Sequence, residues 1–488
     1  MTPTVLLGKT APPALAAVEL PARVGNRHGL VAGATGTGKT VSLMTLAEGF
    51  SRIGVPVFMA DVKGDVAGVA MPGAPDERLQ SRLASLGMAD HAPEASPAIL
   101  WDLFGDAGHP IRATVSEVGP ILLARMLELN DTQAGVLDIA FRLADDEGLL
   151  LLDLEDLRAV LGYLAEQRKS VSTKYGLVSA PSIAAIQRAL LRLESDGGQK
   201  FFGEPALDIA DLMRTTPNGR GVIGVLAADS LILKPRLYST FLLWLLSELF
   251  ERLPEVGDID RPKLVFIFDE AHLLFDDAAP ALRQRVEQVV RLIRSKGVGV
   301  YFCSQFPDDV PAEILGQLGN RIQHALRAFT PRDQKAVRVA AETFVPNPTI
   351  DVQAALTQLA IGEALVSVLL PSGVPTPVER VTIAPPRCRM GPITPAERQQ
   401  LRATSPVGAK YDQALDRDSA AEMLARRAEA PVAASGPAAM PARPAPRASN
   451  RQGLLETMAK QAARTVGSQL GRQIVRGLLG SLLGGRGR

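Results

Sequence analysis

A glycine-rich segment of eight residues begins at Gly33 and ends with Lys39 and Thr40. It matches the pattern G-x-x-x-x-G-K-[ST] at every fixed position. Its glycines let the backbone turn tightly, so that N–H groups face phosphate oxygens. Lys39 supplies a positive charge to the β- and γ-phosphates, and the Thr40 hydroxyl is a ligand for Mg²⁺. We therefore predict a site for ATP and Mg²⁺, called here the P-loop, made of Gly33, Ala34, Thr35, Gly36, Thr37, Gly38, Lys39 and Thr40.

Two adjacent acids follow a wholly apolar segment, Leu264 to Phe268. We expect this segment to be a strand beside the P-loop, with Asp269 at its tip as a ligand of Mg²⁺ through water. Glu270 is then the candidate that orients and polarises the attacking water. An apolar strand that ends in Asp-Glu is common, and its occurrence together with a P-loop favours the catalytic interpretation. A glutamate at this place favours hydrolysis over phosphoryl transfer to a small molecule.

Three further polar residues are candidates for contacts with the γ-phosphate. Gln305 follows the apolar segment 298–303 and can hydrogen-bond the phosphate or the water, although a glutamine here can also simply cap a loop.

A ring-forming ATPase takes an arginine from the neighbouring subunit to neutralise developing charge. Arg294 is the first candidate and Arg321 the second. Helix ends attract arginine in any case, so a purely structural role stays open for both.

Asp61, Lys63 and Asp65 come directly after the second apolar strand of the chain. Residues that follow parallel strands lie at the phosphate-binding side of such sheets. Two interpretations stay open for these three residues: they support the site or couple it to a partner, or they form a solvated charged turn.

The elements that must hold these residues are short buried strands alternating with helices. A strand at 29–32, helical spacing over 41–50 and a strand at 55–60 form a βαβ unit. Further strands are expected at 222–226, 264–268, 298–303 and 322–329, and a terminal hairpin at 364–370 and 378–383. This alternation predicts an α/β fold with a mainly parallel sheet.

Changes in composition along the chain divide it into five segments. We predict the first part of the ATPase core with the P-loop at 1–74, where residues 1–28 are a Pro-rich lead-in, a mostly helical insertion at 75–220, and the second part of the core at 221–386. A charged and then Pro/Ala-rich linker is expected at 387–450, helical in part over 387–430, followed by a basic amphipathic tail helix at 451–488.

The composition excludes several classes of protein. The 488 residues carry a net charge of +1, which excludes a uniformly basic nucleic-acid coat, and the two cysteines exclude a disulfide scaffold. No apolar run is long enough for a bilayer crossing, and the start does not resemble a secretory signal, so we expect a soluble, cytoplasmic protein.

From Arg451 onward there are seven Lys or Arg and one acid. Such a tail can contact a protein, an anionic membrane or nucleic acid, or pack within an oligomer.

The motifs in this order resemble those of the HerA–FtsK superfamily. The segment from Arg27 to Thr40 resembles the P-loop neighbourhood of HerA-type ATPases, and Asp269-Glu270, Arg294, Gln305 and Arg321 follow in the same order. Over roughly residues 5–400 the chain is similar to the bacterial HerA-like, YjgR-like group. The resemblance implies a RecA-like P-loop NTPase core, assembly into a ring, suspected to be a hexamer, and ATP hydrolysis coupled to movement of DNA or of a partner.

Two functional hypotheses therefore stand side by side. The first is a DNA translocase or helicase-like motor, whose channel residues are expected in the insertion, around 168–174. The second is an ATPase that acts on a protein partner as a switch or assembly factor. A small-molecule kinase is the weakest hypothesis, because Glu270 and the candidate oligomer arginines argue against it.

Overall fold

A single twelve-stranded sheet organises the chain in the computed structural model, which describes residues 2–74, 76–275 and 280–429. The strands are β1 (Thr4–Thr10), β2 (Ala17–Pro21), β3 (Gly29–Ala32), β4 (Val57–Asp61), β5 (Ala98–Asp102), β6 (His109–Pro110), β7 (Ile223–Ala227), β8 (Leu264–Phe268), β9 (Val298–Ser304), β10 (Asn320–His324), β11 (Glu363–Ser367) and β12 (Glu379–Ile383).

The sheet is parallel over most of its width. Its order is β2-β1-β12-β11-β10-β3-β9-β8-β4-β7-β5-β6. All neighbours from β10 to β6 pair in parallel, and the strands from β11 to β2 add an antiparallel end. The predicted α/β fold with a mainly parallel, RecA-like sheet is confirmed, and β11 and β12 form the expected antiparallel pair.

The order of the central strands differs from the sequence prediction at one point. The strand that ends in Asp-Glu, β8, is not beside the P-loop strand β3, because β9 lies between them. All three strands are completely buried and apolar. A continuous apolar run in the sequence predicts a buried strand, but it does not indicate which strands lie on either side. The predicted position of β8 beside the P-loop strand was wrong for this reason.

Helices cover both faces of the sheet. The α-helices of the described residues are α1 (Lys39–Arg52), α2 (Glu77–Ser85), α3 (Val115–Met126), α4 (Asp131–Glu147), α5 (Leu154–Glu166), α6 (Arg168–Tyr175), α7 (Ala180–Ser195), α8 (Gly198–Phe201), α9 (Ile209–Leu212), α10 (Pro235–Arg252), α11 (Pro280–Ile293), α12 (Ala312–Leu315), α13 (Pro331–Glu342), α14 (Val352–Gln358), α15 (Pro395–Ala403) and α16 (Ala420–Glu429). Short 3₁₀ helices occur at Ala22–Arg27, Ala67–Ala70, Leu231–Leu233, Ala271–Leu274, Arg294–Lys296 and Pro307–Asp309.

Hydrophobic cores form on both faces of the sheet, and the described residues include a third, smaller cluster between α13, α14 and β11. Successive side chains of a strand point to opposite faces. In β8, Phe266 therefore packs into the core that holds α10 and α11, whereas Val265 packs into the core beside α1. Burial of both faces explains why the central strands read as continuous apolar runs rather than as alternating ones.

The segment between β4 and β7 is rich in helix, from α2 to α9, but it also contributes to the sheet. Residues Ala98–Asp102 form β5, which pairs with β7. A mostly helical insertion was expected here, and β5 was not among the predicted strands, because a single five-residue run shows too little periodicity to be distinguished from a helix.

The expected lead-in at the start of the chain is structured. β1 and β2 pair antiparallel, and β1 also pairs with β12. Val5 and Leu7 are buried, whereas Thr4 and Leu6 are less so, an alternation typical of a strand with one buried face. The prolines of this segment argue against a strand in the sequence, but Pro3, Pro12 and Pro13 lie outside β1 and β2.

Residues 387–429, the charged part of the expected linker, are partly helical, as predicted, and they also pack against the rest of the fold. α15 and α16 lie there, and α16 packs on α5 of the insertion. Tyr411 is completely buried, 5.3 Å from the Trp101 ring, and its hydroxyl donates to Asp211 Oδ2 at 2.5 Å. The rest of the expected linker and the predicted tail helix at 451–488 lie outside the described residues. Elsewhere the segment boundaries stay a prediction.

The last predicted strand of the core is shorter than expected. β10 begins at Asn320 and ends at His324, whereas the sequence suggested 322–329; Phe329 is 81% exposed.

Among the described helices, none combines the length and the apolar character needed to span a membrane.

Candidate nucleotide-binding site

The P-loop connects β3 to α1 through a chain of turns that need glycine. Gly33 has φ +151° and Gly38 has φ +116°, in a region where other residues are strained. A Cβ atom on Gly33 would also lie 2.5 Å from His324 Cβ, so space as well as backbone geometry demands glycine there. Thr35 and Gly36 form the exposed tip of the loop.

Neighbouring segments hold the loop in place. The Ala34 N–H donates to the Ala325 carbonyl at 2.8 Å, and the Thr37 carbonyl accepts from the Gly362 N–H at 2.9 Å. The Thr37 hydroxyl closes the turn by donating to the Ala34 carbonyl at 2.7 Å. The loop therefore keeps its curvature through contacts with residues 325 and 362, which follow β10 and precede β11.

Lys39 and Thr40 open α1 at the inner side of this loop. Lys39 is 6% exposed, and its Nζ donates to the carbonyls of Gly33 at 2.7 Å and Ala34 at 3.2 Å. The ammonium thus lies in the concave side of the loop, next to the first N–H groups of the helix, which have no partners within the helix. Positive charge and N–H donors in one concave site suit the phosphates of a nucleotide.

Asp269 directly follows β8 and is almost completely buried. Its Oδ1 accepts from the Glu270 N–H at 2.9 Å, and its Oδ2 has no hydrogen-bond partner among the described residues. Burial, and next the carboxylate of Glu270, raises the pKa of Asp269 above its ordinary value. A buried carboxylate oxygen without a protein partner suits a divalent cation, so Asp269 and the Thr40 hydroxyl fit Mg²⁺.

Glu270 is buried and adopts a left-handed backbone, with φ 49° and ψ 55°. Such a conformation is unfavourable for a residue with a side chain, and residues strained in this way cluster at functional sites. Its Oε1 lies 2.5 Å from Lys63 Nζ, in an ion pair. His272 Nδ1 lies 3.4 Å from Oε2, close enough for attraction if the ring is protonated but not placed for a hydrogen bond.

Gln305 comes directly after β9 and is half-buried. Ser304 pairs with Ala32, and Phe268 pairs with Phe302, so the ends of β3, β9 and β8 are aligned. Because the strands are parallel, the residues that follow them meet at one edge of the sheet. The structure thus brings Gln305 and the two acids to the same edge as the P-loop.

The two candidate arginines lie at the opposite edge. Arg294 is exposed in the 3₁₀ helix that precedes β9. Because a strand rises about 3.3 Å per residue, the seven residues of β9 separate it from the P-loop of its own chain by roughly 20 Å. Arg321 lies near the start of β10, and its guanidinium donates to the carbonyls of Leu315 at 3.1 Å and Leu318 at 3.2 Å.

Sequence reasoning left several contacts of the site unrecognised. Asp65 Oδ2 accepts from the Thr40 hydroxyl at 3.4 Å, and Lys63 pairs with Glu270. The sequence left open whether these residues support the site or form a solvated turn, and it did not indicate these two partners. His324 supports the P-loop from behind: its Nδ1–H donates to the Glu363 carbonyl, so its Nε2 accepts from a serine hydroxyl of α1. No signal in the sequence singled out this histidine.

A protein-family model matches almost the whole chain. The family model described as helicase HerA-like C-terminal matches residues 8–488. The chain belongs to this family. The resemblance to HerA-type proteins, recognised from the order of the motifs, is thereby confirmed.

Individual relatives are more distant or match over shorter stretches. "Probable helicase MJ1565" of Methanocaldococcus jannaschii is 37% identical over 114 residues, which are 22% of this chain and 20% of that protein. "Probable helicase MJECL08" of the same organism is 32% identical over 120 residues, 24% of this chain and 21% of that protein. The chain thus spans about a fifth of the length of these curated relatives.

Solved structures with a similar chain path are also distant in sequence. The bacterial conjugative coupling protein TrwBdeltaN70 is 17% identical with a TM-score of 0.47, over 77% of this chain and 88% of that one. VirB4 of Thermoanaerobacter pseudethanolicus is 14% identical with a TM-score of 0.48, over 80% of this chain and 97% of that one. The family assignment therefore rests on the match along residues 8–488.

Proposed function

We propose that the protein is a Mg²⁺-dependent ATPase of the HerA type that assembles into a ring and drives the movement of DNA. One observation carries the proposal of ATP hydrolysis: Lys39 in the concave side of the P-loop and the buried pair Asp269 and Glu270 meet at one edge of the sheet. Phosphate binding, metal binding and activation of water each have a side chain of suitable chemistry there.

Each residue has a separate task in this proposal. Lys39 and the N–H groups at the start of α1 bind the phosphates, and Thr40 and Asp269 hold Mg²⁺, which when bound offsets phosphate charge. Glu270 accepts a proton from water, whose oxygen forms a bond to the γ-phosphorus while the bond to the β–γ bridging oxygen breaks. Gln305 hydrogen-bonds the γ-phosphate or that water.

The position of Arg294 supports action between subunits. It is exposed at the edge away from its own P-loop, which suits an arginine that reaches the γ-phosphate of a neighbouring subunit. Arg321 is the weaker candidate, because its guanidinium is engaged by carbonyls of its own chain. A ring of identical subunits, such as a hexamer, satisfies this need at every site.

Mixing two inactive variants tests the assignment of Arg294. Lys39→Ala lacks phosphate binding but keeps its arginine, whereas Arg294→Ala keeps its P-loop. A mixture is expected to regain ATP turnover, because some sites combine an intact P-loop with an intact arginine. Arg321→Ala mixed with Lys39→Ala is the matched control. Turnover by Arg294→Ala alone at the wild-type rate would remove Arg294 from this role.

The proposal that DNA is moved rests on the family and on the names of the curated relatives, which are probable helicases. Arg168, Lys169 and Lys174 of α6 are exposed and can contact phosphates, although Lys174 also pairs with Asp146 at 3.1 Å. Contact of the tail at 451–488 with a protein or an anionic membrane stays a prediction.

The test is the steady-state rate of ATP hydrolysis by the assembled protein. It is measured without nucleic acid, with long duplex DNA and with single-stranded DNA, at low and moderate salt. We expect stimulation by DNA that salt weakens and that disappears in Lys39→Ala and Glu270→Gln. Turnover that needs Lys39 but ignores DNA would instead favour an ATPase that acts on a protein partner.

A further inference from the structure

The loop after β4 touches both halves of the proposed catalytic site. β4 pairs with β8 so that Ala60 lies beside Phe268, and the residues after each strand are therefore neighbours. We call residues 62–66 the β4 loop. Asp61 fixes its course by accepting the N–H groups of Asp65, Val66 and Ala67 at 3.1, 3.1 and 3.2 Å.

Lys63 extends from this loop to Glu270. Its Nζ lies 2.5 Å from Oε1 of Glu270, whose side chain is 7% exposed, whereas the side chain of Lys63 is 41% exposed. Burial alone would lower the pKa of Lys63, but the carboxylates of Glu270 and then Asp269 hold it above its ordinary value. The lysine is thus a charged residue that reaches from the surface onto a buried carboxylate.

This ion pair opposes the task proposed for Glu270. A general base needs a free oxygen within hydrogen-bond reach of the water that it activates. The Lys63 ammonium, at 2.5 Å, occupies Oε1 and so takes the place of that water at this oxygen.

The same loop also contacts the P-loop. The Thr40 hydroxyl, which is proposed to bind Mg²⁺, donates to Asp65 Oδ2 at 3.4 Å. A displacement of the β4 loop therefore changes the surroundings of Thr40 and Glu270 together. Because Lys63 is partly exposed, ligands and neighbouring subunits can reach it from the surface.

We infer that Lys63 is a positioning residue that restrains Glu270, and that movement of the β4 loop away from Glu270 releases the glutamate for hydrolysis. The inference rests on the proposed ATPase function, and it adds that the Lys63–Glu270 ion pair keeps the rate of ATP hydrolysis low. It predicts that weakening the ion pair accelerates hydrolysis, whereas a residue needed for the reaction itself would slow it when replaced.

The experiment compares Lys63→Met with wild type in steady-state ATP hydrolysis without DNA. We expect kcat to rise about tenfold, the factor that a charge-assisted hydrogen bond typically represents, while KM changes much less. Lys63→Arg retains a cation at this position and is expected to retain the slow rate. Lys63→Gln is a second neutral variant, in case Lys63→Met folds poorly.

A double variant separates restraint of Glu270 from a remote effect. In the Glu270→Gln background, Lys63→Met is expected to give no acceleration, because the residue that it would release is gone. An unchanged or lower kcat for both neutral variants, with wild type active, overturns the inference alone. Absence of hydrolysis in wild type and all Lys63 variants, despite ATP binding, overturns the proposed ATPase function and the inference with it.

Discussion

Replacing His324 by glutamine is expected to make the protein less sensitive to acid. His324 is completely buried behind the P-loop, where its ring contacts the Ser42 hydroxyl at 2.8 Å and the Glu363 carbonyl at 2.9 Å. Glutamine offers one donor group and one acceptor group for these partners and carries no titrating group.

The magnitude follows from the pKa of His324. Burial, followed by the nearby charge of Lys39, lowers this pKa from 6.5 to about 4. As the pH falls below 6.5, the unfolded chain binds a proton at this histidine that the folded protein refuses, so stability decreases until the pH reaches about 4. The full loss is ~3 kcal/mol, of which about 2 kcal/mol has occurred at pH 5.

The assay is denaturant unfolding of wild type and His324→Gln at about pH 7.5 and pH 5. Carboxylates also titrate in this range, and burial also lowers the pKa of His28 to about 4, but these groups contribute to both proteins and cancel in the comparison. The variant is expected to lose about 2 kcal/mol less stability than wild type between the two pH values. Equal losses would refute the conclusion that His324 stays neutral inside the fold.

Three further substitutions test other parts of the structure. Gly135→Ala in α4, where an added Cβ meets no atom within 4 Å, is expected to raise the free energy of unfolding by ~0.5–1 kcal/mol; a decrease would contradict the helix there. Tyr411→Phe removes the hydroxyl bonded to Asp211 and should cost ~1–3 kcal/mol and expose residues 387–429 to limited proteolysis, whereas unchanged protease resistance would argue against this anchor. Asp269→Asn removes a buried charge and should raise the melting temperature while weakening Mg²⁺-dependent ATP binding; a lower melting temperature would contradict the raised pKa of this carboxyl.

The sequence was sufficient to predict the turn after β3 and the acids after β8, because each motif joins a local pattern to a local structure. Glycine spacing predicts the P-loop, and an apolar run followed by two acids predicts that Asp269 and Glu270 come directly after a buried strand, although not which strand lies beside it. Parallel pairing then brings Gln305 to the same edge. The roles of these residues stay predictions until activity is measured.

Contacts between distant segments were not predictable in the same way. Lys63 and Glu270 are far apart in sequence, and only the pairing of β4 with β8 brings them together. His324 is one buried histidine in a strand, indistinguishable by type from a packing residue. Tyr411 lies in a charged segment that resembles a linker until its partners in the insertion are known.

The central claim, that the P-loop binds ATP and Glu270 activates water for its hydrolysis, is tested most directly by a single-turnover experiment. Radiolabelled ATP and Mg²⁺ are mixed with excess protein, and the bound nucleotide is identified over time. We predict conversion to ADP in wild type, and in Glu270→Gln an equal amount of bound nucleotide that persists as ATP. Conversion by Glu270→Gln at the wild-type rate would contradict the account.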